Sequence, residues 1–171
     1  MTAQKLQDDL VDALEKDILK DLRTRSPGGE WVDGVHVFEQ ELTKLEDEDE
    51  DDPDKYFPYA IVKIAHGKTG GDVNQSEASD DDDWWHVQID ILFGAYEASQ
   101  KCTGHRQVME MIQKITDRFQ ARPLLNKMFR AEQKMEWDLQ DESDGNTYPY
   151  FFGGLEMTFS VPKKGREDPY V

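Results

Sequence analysis

The chain has 171 residues, and its 37 Asp and Glu outnumber its 20 Lys and Arg, so its formal net charge is −17. This length predicts one compact domain. The acidic excess argues against general binding to a nucleic-acid backbone, because phosphate affinity comes largely from Lys and Arg. No apolar run approaches the roughly 20 residues that cross a bilayer, and Met1-Thr2-Ala3-Gln4 lacks the apolar core of a signal peptide, so we expect no membrane association.

The negative charge is concentrated in two segments. Glu46 to Asp54 holds eight acidic residues in nine, and Asp80 to Asp83 adds four more. Without these twelve residues the rest of the chain carries −5, which is ordinary for a soluble domain. We expect mobile acidic loops near residues 46–54 and 66–83, and a polar C-terminal tail over residues 162–171.

The first element in chain order is predicted to be an amphipathic helix of about five or six turns. Its apolar residues are spaced by four, and Pro27-Gly28-Gly29 is expected to end it. A strand is predicted around Val35 to Glu41. A second, well-covered strand is predicted from Ala60 to Ala65, which is apolar on both faces apart from Lys63. The helix stripe consists of Leu6, Leu10, Leu14, Ile18 and Leu22.

The middle of the chain combines a strand pattern with a helix pattern. Apolar residues occupy every second position from Trp85 to Phe93, which is typical of a strand with one buried face. After Gly94 to Gly104 the period becomes three or four, which predicts a helix that packs on that strand. The helix stripe consists of Val108, Ile112, Ile115 and Phe119.

The last part of the chain predicts a hairpin. Residues from Phe129 to Leu139 alternate, Asp141 to Tyr148 is turn-like, and Tyr150 to Val161 alternates again. Together these elements predict an α+β fold of one domain. We expect a mostly antiparallel or mixed sheet of four to five strands, packed against two helices. The residues predicted to share one core between the sheet and the second helix are Ile89, Ile91, Val108, Ile112, Leu155 and Phe159.

The sequence motifs favour no catalytic, cofactor or metal site. Cys102 and His105 could form a thiolate–imidazole pair, but the pattern equally describes a turn followed by a first-turn histidine. Neither Asp80 to Asp83 nor the segment from Asp141 has the alternating acids and closing Glu of a calcium loop. There is no glycine-rich phosphate loop. The single cysteine cannot form an internal disulfide, which suits a reducing cytoplasm.

Two groups of residues are candidates for an interface. Trp84 and Trp85 adjoin on one strand, so one ring should face inward and the other outward. The outward ring either covers local apolar surface or anchors a partner. The cationic residues of the tail either meet acidic residues of an adjacent subunit or remain solvated. They are Lys163, Lys164 and Arg166.

Two stretches resemble the tail terminator (tail completion) proteins of long-tailed bacteriophages. They run from Trp85 to Gly94 and from Tyr148 to Pro162, and the order of helices and strands is similar over nearly the whole chain. The resemblance implies a virion protein, assembled in the host cytoplasm, that forms a hexameric ring on the head-proximal end of the tail tube. Its implied partners are the major tail tube protein and the head–tail connector. DNA would pass through the lumen without specific binding.

Other functions remain open at this point. Another phage head–tail joining, head-completion or minor tail protein would share these features. An acidic inhibitor that imitates DNA should spread its carboxylates over one shaped face, whereas here they are concentrated in two segments.

Overall fold

The computed structural model describes residues 2–42, 53–69, 84–101, 103–140 and 147–162. An α-helix, α1, covers Thr2–Ala13 and continues as a π-helical turn over Leu14–Ile18. The second helix, α2, covers His105–Ala121, and a 3-10 turn covers Pro53–Tyr56. The strands are β1 Arg23–Arg25, β2 Trp31–Asp33, β3 His36–Glu39, β4 Tyr59–Thr69, β5 Trp84–Tyr96, β6 Leu124–Leu125, β7 Phe129–Leu139 and β8 Tyr150–Pro162.

Six of these strands form one mixed sheet in the order β3-β4-β5-β8-β7-β6. All neighbouring pairs are antiparallel except β3 and β4, which are parallel. The long central pair β5–β8 stays in register from Trp84 opposite Pro162 to Tyr96 opposite Tyr150. The predicted α+β class is therefore confirmed. The sheet is larger than the predicted four to five strands, because the two-residue β6 also joins it.

The helices cover one face of this sheet. The predicted core residues of the central strand, second helix and last strand lie in a single buried cluster. In α2 the buried positions form one stripe at helical spacing, and in β5 every second residue from Val87 to Phe93 is buried. The predicted core group is thereby confirmed. It consists of Ile89, Ile91, Val108, Ile112, Leu155 and Phe159, none of which is more than 2% exposed.

The N-terminal helix ends earlier than expected. It stops at Ile18, and the chain then forms the two-stranded β1–β2 hairpin. Pro27-Gly28-Gly29 lies in the turn of that hairpin, where Gly29 has φ +84° and its N–H donates to the carbonyl of Ser26 at 2.9 Å. Leu22 remains buried beyond the helix. The apolar spacing therefore predicts the burial of Leu22 correctly. The backbone at Leu22 is nevertheless not helical, because the chain continues into the β1–β2 hairpin.

The predicted loop over residues 66–83 is wrong at its start. The chain from His66 to Thr69 continues β4, pairing with β5 from Gln88 to Trp85 after a bulge between Ile64 and His66. The side chains of His66 and Lys68 are exposed, so no apolar alternation marks this extension. Backbone pairing to the long β5 is enough to hold it. The rest of that loop, residues 70–83, lies outside the described residues.

Candidate assembly surface

The sheet face opposite the helices carries a second, smaller apolar cluster. At its centre Phe57 packs against Tyr59 and Tyr150, with ring centroids 5.0 and 4.9 Å apart. The Tyr59 ring also lies over Gly94, where a methyl group would be 2.3 Å from the ring, so this position admits only glycine without rearrangement. Burial raises the pKa of the Tyr59 phenol. The cluster comprises Phe57, Tyr59 and Ile61, with Phe38, Leu42, Tyr56, Tyr96, Tyr150 and Phe152 packed against them.

Next to this aromatic cluster the same face becomes acidic. The register places Asp90, Glu156 and Glu136 side by side on β5, β8 and β7, with Lys63 of β4 at the end of the row. Neighbouring Leu92 is 40% exposed, and a groove of about 340 Å³ runs along these residues. Like charges on adjacent strands destabilise a sheet, so the acidic row is a cost to stability that folding does not require. It gives this part of the face a negative potential.

Further along the same face lies a histidine–carboxylate pair. The Nδ1 atom of His86 contacts Oε1 of Glu132, and the Ser160 hydroxyl donates to the same oxygen at 3.3 Å. Serine, histidine and glutamate thus meet on three adjacent strands, which the sequence did not indicate. The hydroxyl donates to the carboxylate, a weak base, so this arrangement does not activate Ser160 as a nucleophile. It joins β7 to β5 across β8.

The β1–β2 hairpin presents a cationic and aromatic surface. Trp31 is 57% exposed, and the guanidinium carbons of Arg23 and Arg25 lie 5.1 and 4.9 Å from its ring centroid. These are cation–π distances, so both arginines stabilise the position of the exposed indole. A cavity of about 570 Å³ adjoins the hairpin. The alternation Arg23-Thr24-Arg25 was the only sequence signal for a strand here, and the prediction of a longer helix did not take it into account.

The two candidate interface tryptophans lie at one end of the sheet. Trp84 pairs with Pro162, and its side chain lies on the sheet face opposite the helices. Trp85 pairs with Val161, and its side chain lies on the face that the helices cover. The expected division between the two faces is therefore present. Both rings are nevertheless about equally exposed, at 36% and 39%. Trp85 lies two residues before buried Val87, at the start of the strand, so facing the helix side does not bury it.

The turn before α2 is organised by a carboxylate. Glu97 accepts a hydrogen bond from the Thr103 hydroxyl at 2.7 Å. Hydrogen bonds from Ser99 and then Thr103 lower the pKa of Glu97. His105 is exposed and begins α2. Cys102, its proposed thiolate partner, lies outside the described residues, so their pairing stays untested.

Several other predicted features also fall outside the described part of the chain. They are residues 46–52, Asp80 to Asp83, Asp141 to Asn146, and the tail with Lys163, Lys164 and Arg166. Among the described residues, no group of three or more His, Cys, Asp or Glu has an arrangement that could hold a metal ion. None of the helices in the described ranges is long and apolar enough to cross a membrane.

The fold defines the chain as an α+β protein with a mixed six-stranded sheet and helices on one face. No protein-family model matches the sequence, and no curated protein matches it.

Proposed function

We propose that this protein is a phage virion structural protein that caps the head-proximal end of the tail tube as a ring. It stops polymerisation of the tube and joins the tail to the head connector. The proposal begins from the sequence resemblance over residues 85–94 and 148–162. These two stretches are the central, fully paired strands β5 and β8.

The observation that best supports a subunit of an assembly is the pair of unpaired strand edges. Among the described residues, β3 covers β4 only from Tyr59 to Val62, and β6 covers β7 only at Phe129 and Arg130. In the part of the chain that the structure describes, no strand pairs with the outer side of β4 beyond Ile64 or of β7 beyond Ala131. Unpaired edges recruit another chain unless something blocks them, so they are natural contacts between subunits.

The acidic row agrees with a channel that DNA crosses without adhering. Asp90, Glu136 and Glu156 repel phosphate, and six copies of the chain would carry −102. The same charge opposes association of free subunits. We therefore expect the isolated protein to be monomeric or weakly associated until the end of the tube supplies a template.

The test is an electron-microscopic image of the protein on purified tail tubes, combined with its DNA affinity at low salt. A closed ring at one end of the tube, without DNA binding, supports the proposal. Subunits distributed along the tube would instead indicate a minor tail protein. Tight DNA binding at low salt would overturn the proposed role of the acidic face.

The C-terminal tail supplies a second test of assembly. Replacing Lys163, Lys164 and Arg166 with Gln should weaken ring formation in a salt-dependent way, because the cations are proposed to meet acidic residues of an adjacent subunit. The melting temperature of the monomer should not change. Ring formation that is indifferent to the replacements would show that the tail is simply solvated.

A further inference from the structure

The two unpaired edges differ in charge. On β4 the edge begins after Ile64, whose N–H donates to Oε1 of Gln40 at 2.6 Å, and it extends over residues 65–69. Its exposed side chains include His66 and Lys68. We call this segment the β4 edge. The β7 edge is residues 135–139, which pair with β8 on one side and with no described strand on the other.

The charged side chains of the β4 edge and of the β7 edge lie on the same face of the sheet. His66 and Lys68 pair with Gln88 and His86, so they lie on the sheet face opposite the helices. On the β7 edge, Glu136 and Asp138 lie on that same face, because Glu136 pairs with Glu156 in the acidic row. On this face the β4 edge thus presents a histidine and a lysine, and the β7 edge presents two carboxylates.

The helix-side faces of the two edges also fit each other. Trp137 is 52% exposed at the centre of the β7 edge. Gly67 lies at the centre of the β4 edge, where a methyl group would meet nothing closer than the His86 carbonyl oxygen at 3.9 Å. Considering the described residues, the space above Gly67 is therefore open. A large ring on an adjacent strand can cover the glycine and exclude water from it.

The direction of the strands sets the pairing mode. Successive antiparallel pairings from β4 through β5 and β8 make β7 antiparallel to β4 within one copy. A second copy related by rotation about an axis along the strands keeps this relation, so its β4 meets β7 of the first copy in antiparallel fashion.

We propose that the β7 edge of one copy pairs antiparallel with the β4 edge of a second copy and continues the six-stranded sheet across the contact. In the register that matches both faces, Glu136 lies opposite Lys68, Trp137 opposite Gly67, and Asp138 opposite His66 of the second copy. Trp85 of the second copy, 39% exposed on the same face, then lies on the strand beyond Gly67, two residue pairs along the ladder.

The charges also select against pairing of like edges. A β7–β7 contact centred on Trp137 would place Glu136 against Asp138 twice. A β4–β4 contact centred on Gly67 would place each Lys68 opposite His66, so neither lysine would have an acidic partner. Charged residues on an edge ordinarily block pairing. The carboxylates repel each other in the β7–β7 contact, and the head-to-tail contact alone gives Lys68 an acidic partner, so the charges favour the head-to-tail contact.

An ion pair within one copy does not prevent Glu136 from pairing with Lys68 of a second copy. Nζ of Lys134 lies 3.0 Å from Oε1 of Glu136, but the two side chains are 79% and 60% exposed. An exposed pair of this kind is worth little, so Glu136 can turn to a new cation at low cost.

This inference deepens the proposed function, since only the closure of the contact into a ring rests on that function. Each copy carries one edge of each sign, so the contact is heterologous. A heterologous contact either closes by rotation or runs on as a filament, and a tail terminator requires closure.

Single cysteines test the pairing directly. In a Cys102→Ser background, Lys68→Cys and Glu136→Cys would be made as separate proteins and oxidised alone or mixed. Directly opposed residues in an antiparallel pair have Cα atoms about 4.5–5.5 Å apart, which is within disulfide reach. We expect dimers in the mixture, rising with protein concentration, and none from either protein alone. Lys20→Cys mixed with Glu136→Cys is the matched control and should not cross-link, because Lys20 is exposed but lies outside both edges.

Two outcomes would overturn the proposal. Dimers from Glu136→Cys alone would show a symmetric β7–β7 contact. A mixture that fails to cross-link both at high concentration and on purified tails would show that the edges do not meet.

Charge reversal separates this interface from the proposed function. Lys68→Glu or Glu136→Lys should weaken association about two- to fivefold, and both changes in one chain should restore it. Single reversals that leave association unchanged would contradict the register. If the protein forms a ring at the end of the tail, but neither cross-linking nor charge reversal gives the expected result, the proposed interface is wrong and the proposed function stands. If cross-linking and reversal succeed but no ring forms on tails, the interface stands and the function is wrong.

Discussion

Gly153 of β8 lies directly against Val108 of α2: a methyl group at residue 153 would lie 2.7 Å from Cγ1 of Val108 and 3.0 Å from the carbonyl oxygen of Asp138. The contact brings the first turns of α2 close to the centre of the sheet. Close approach to both a side chain and a backbone atom leaves little room for relaxation. This is the physical reason for the first glycine of the Phe152-Gly153-Gly154 sequence.

Substituting Gly153 with Ala should therefore destabilise the protein by about 1–3 kcal/mol through overpacking. Urea unfolding monitored by tryptophan fluorescence measures the change. Gly28→Ala is the matched control, because its nearest contact is Oγ of Ser26 at 3.7 Å and its φ is not positive. The control should stay within about 0.5 kcal/mol of the original protein. Equal stability of both variants would show that α2 can shift away from β8.

Two adjacent residues of β5 should respond in opposite ways to the same substitution. Ile91 is fully buried in the core, so Ile91→Asp places an unpaired carboxylate there and should destabilise the fold by more than about 3 kcal/mol. Leu92 points to the other face and is 40% exposed, so Leu92→Asp should leave the protein folded. Circular dichroism melting compares the two. An Ile91→Asp protein that melts normally would disprove the assigned faces of β5.

Stability should fall at high pH partly because of Tyr59. Burial raises the pKa of its phenol, whose usual value is about 10. The folded state then holds its proton where the unfolded chain has lost it. The contribution to stability is complete below pH 10 and is lost as the pH rises through the folded pKa. Unfolding free energies between pH 9 and 11 should therefore fall less steeply for Tyr59→Phe. A slope unchanged by that substitution would contradict the burial of this hydroxyl.

The acidic segment should cost stability through repulsion. We expect that deleting Glu46 to Asp54 leaves the protein folded. A milder variant replaces the seven acidic residues from Glu46 to Asp52 with Asn or Gln and retains the 3-10 turn at Pro53–Tyr56. It should raise the free energy of unfolding by up to about 1 kcal/mol at low salt. The difference should shrink in 1 M salt, where the Debye length falls to about 3 Å. A variant that fails to fold would show that the segment packs or binds an ion.

The proposed interface was only partly visible in the sequence. Trp84 and Trp85 stand out because two large rings adjoin after four aspartates. Trp137, by contrast, fits the alternation of β7 and would be assigned to the core by that pattern. The structure instead leaves it 52% exposed, in the part of β7 beyond the two residues that pair with β6. Lys68 and His66 were assigned to a loop because exposed edge residues carry no apolar period.

By itself, the sequence determined the elements whose burial is periodic. Strand alternation in β5 and β8 and the three-to-four spacing in α2 each depend on one buried face, so local pattern was enough to predict them and their shared core. Tertiary structure decided everything that depends on which neighbour is present. The β1–β2 hairpin replaced the end of a helix, β4 grew along an existing partner strand, and His86, Glu132 and Ser160 met across three strands. Which strands pair, and which strands lie at an edge, depends on segments that are distant in sequence. The periodicity of side chains along one segment therefore does not predict them.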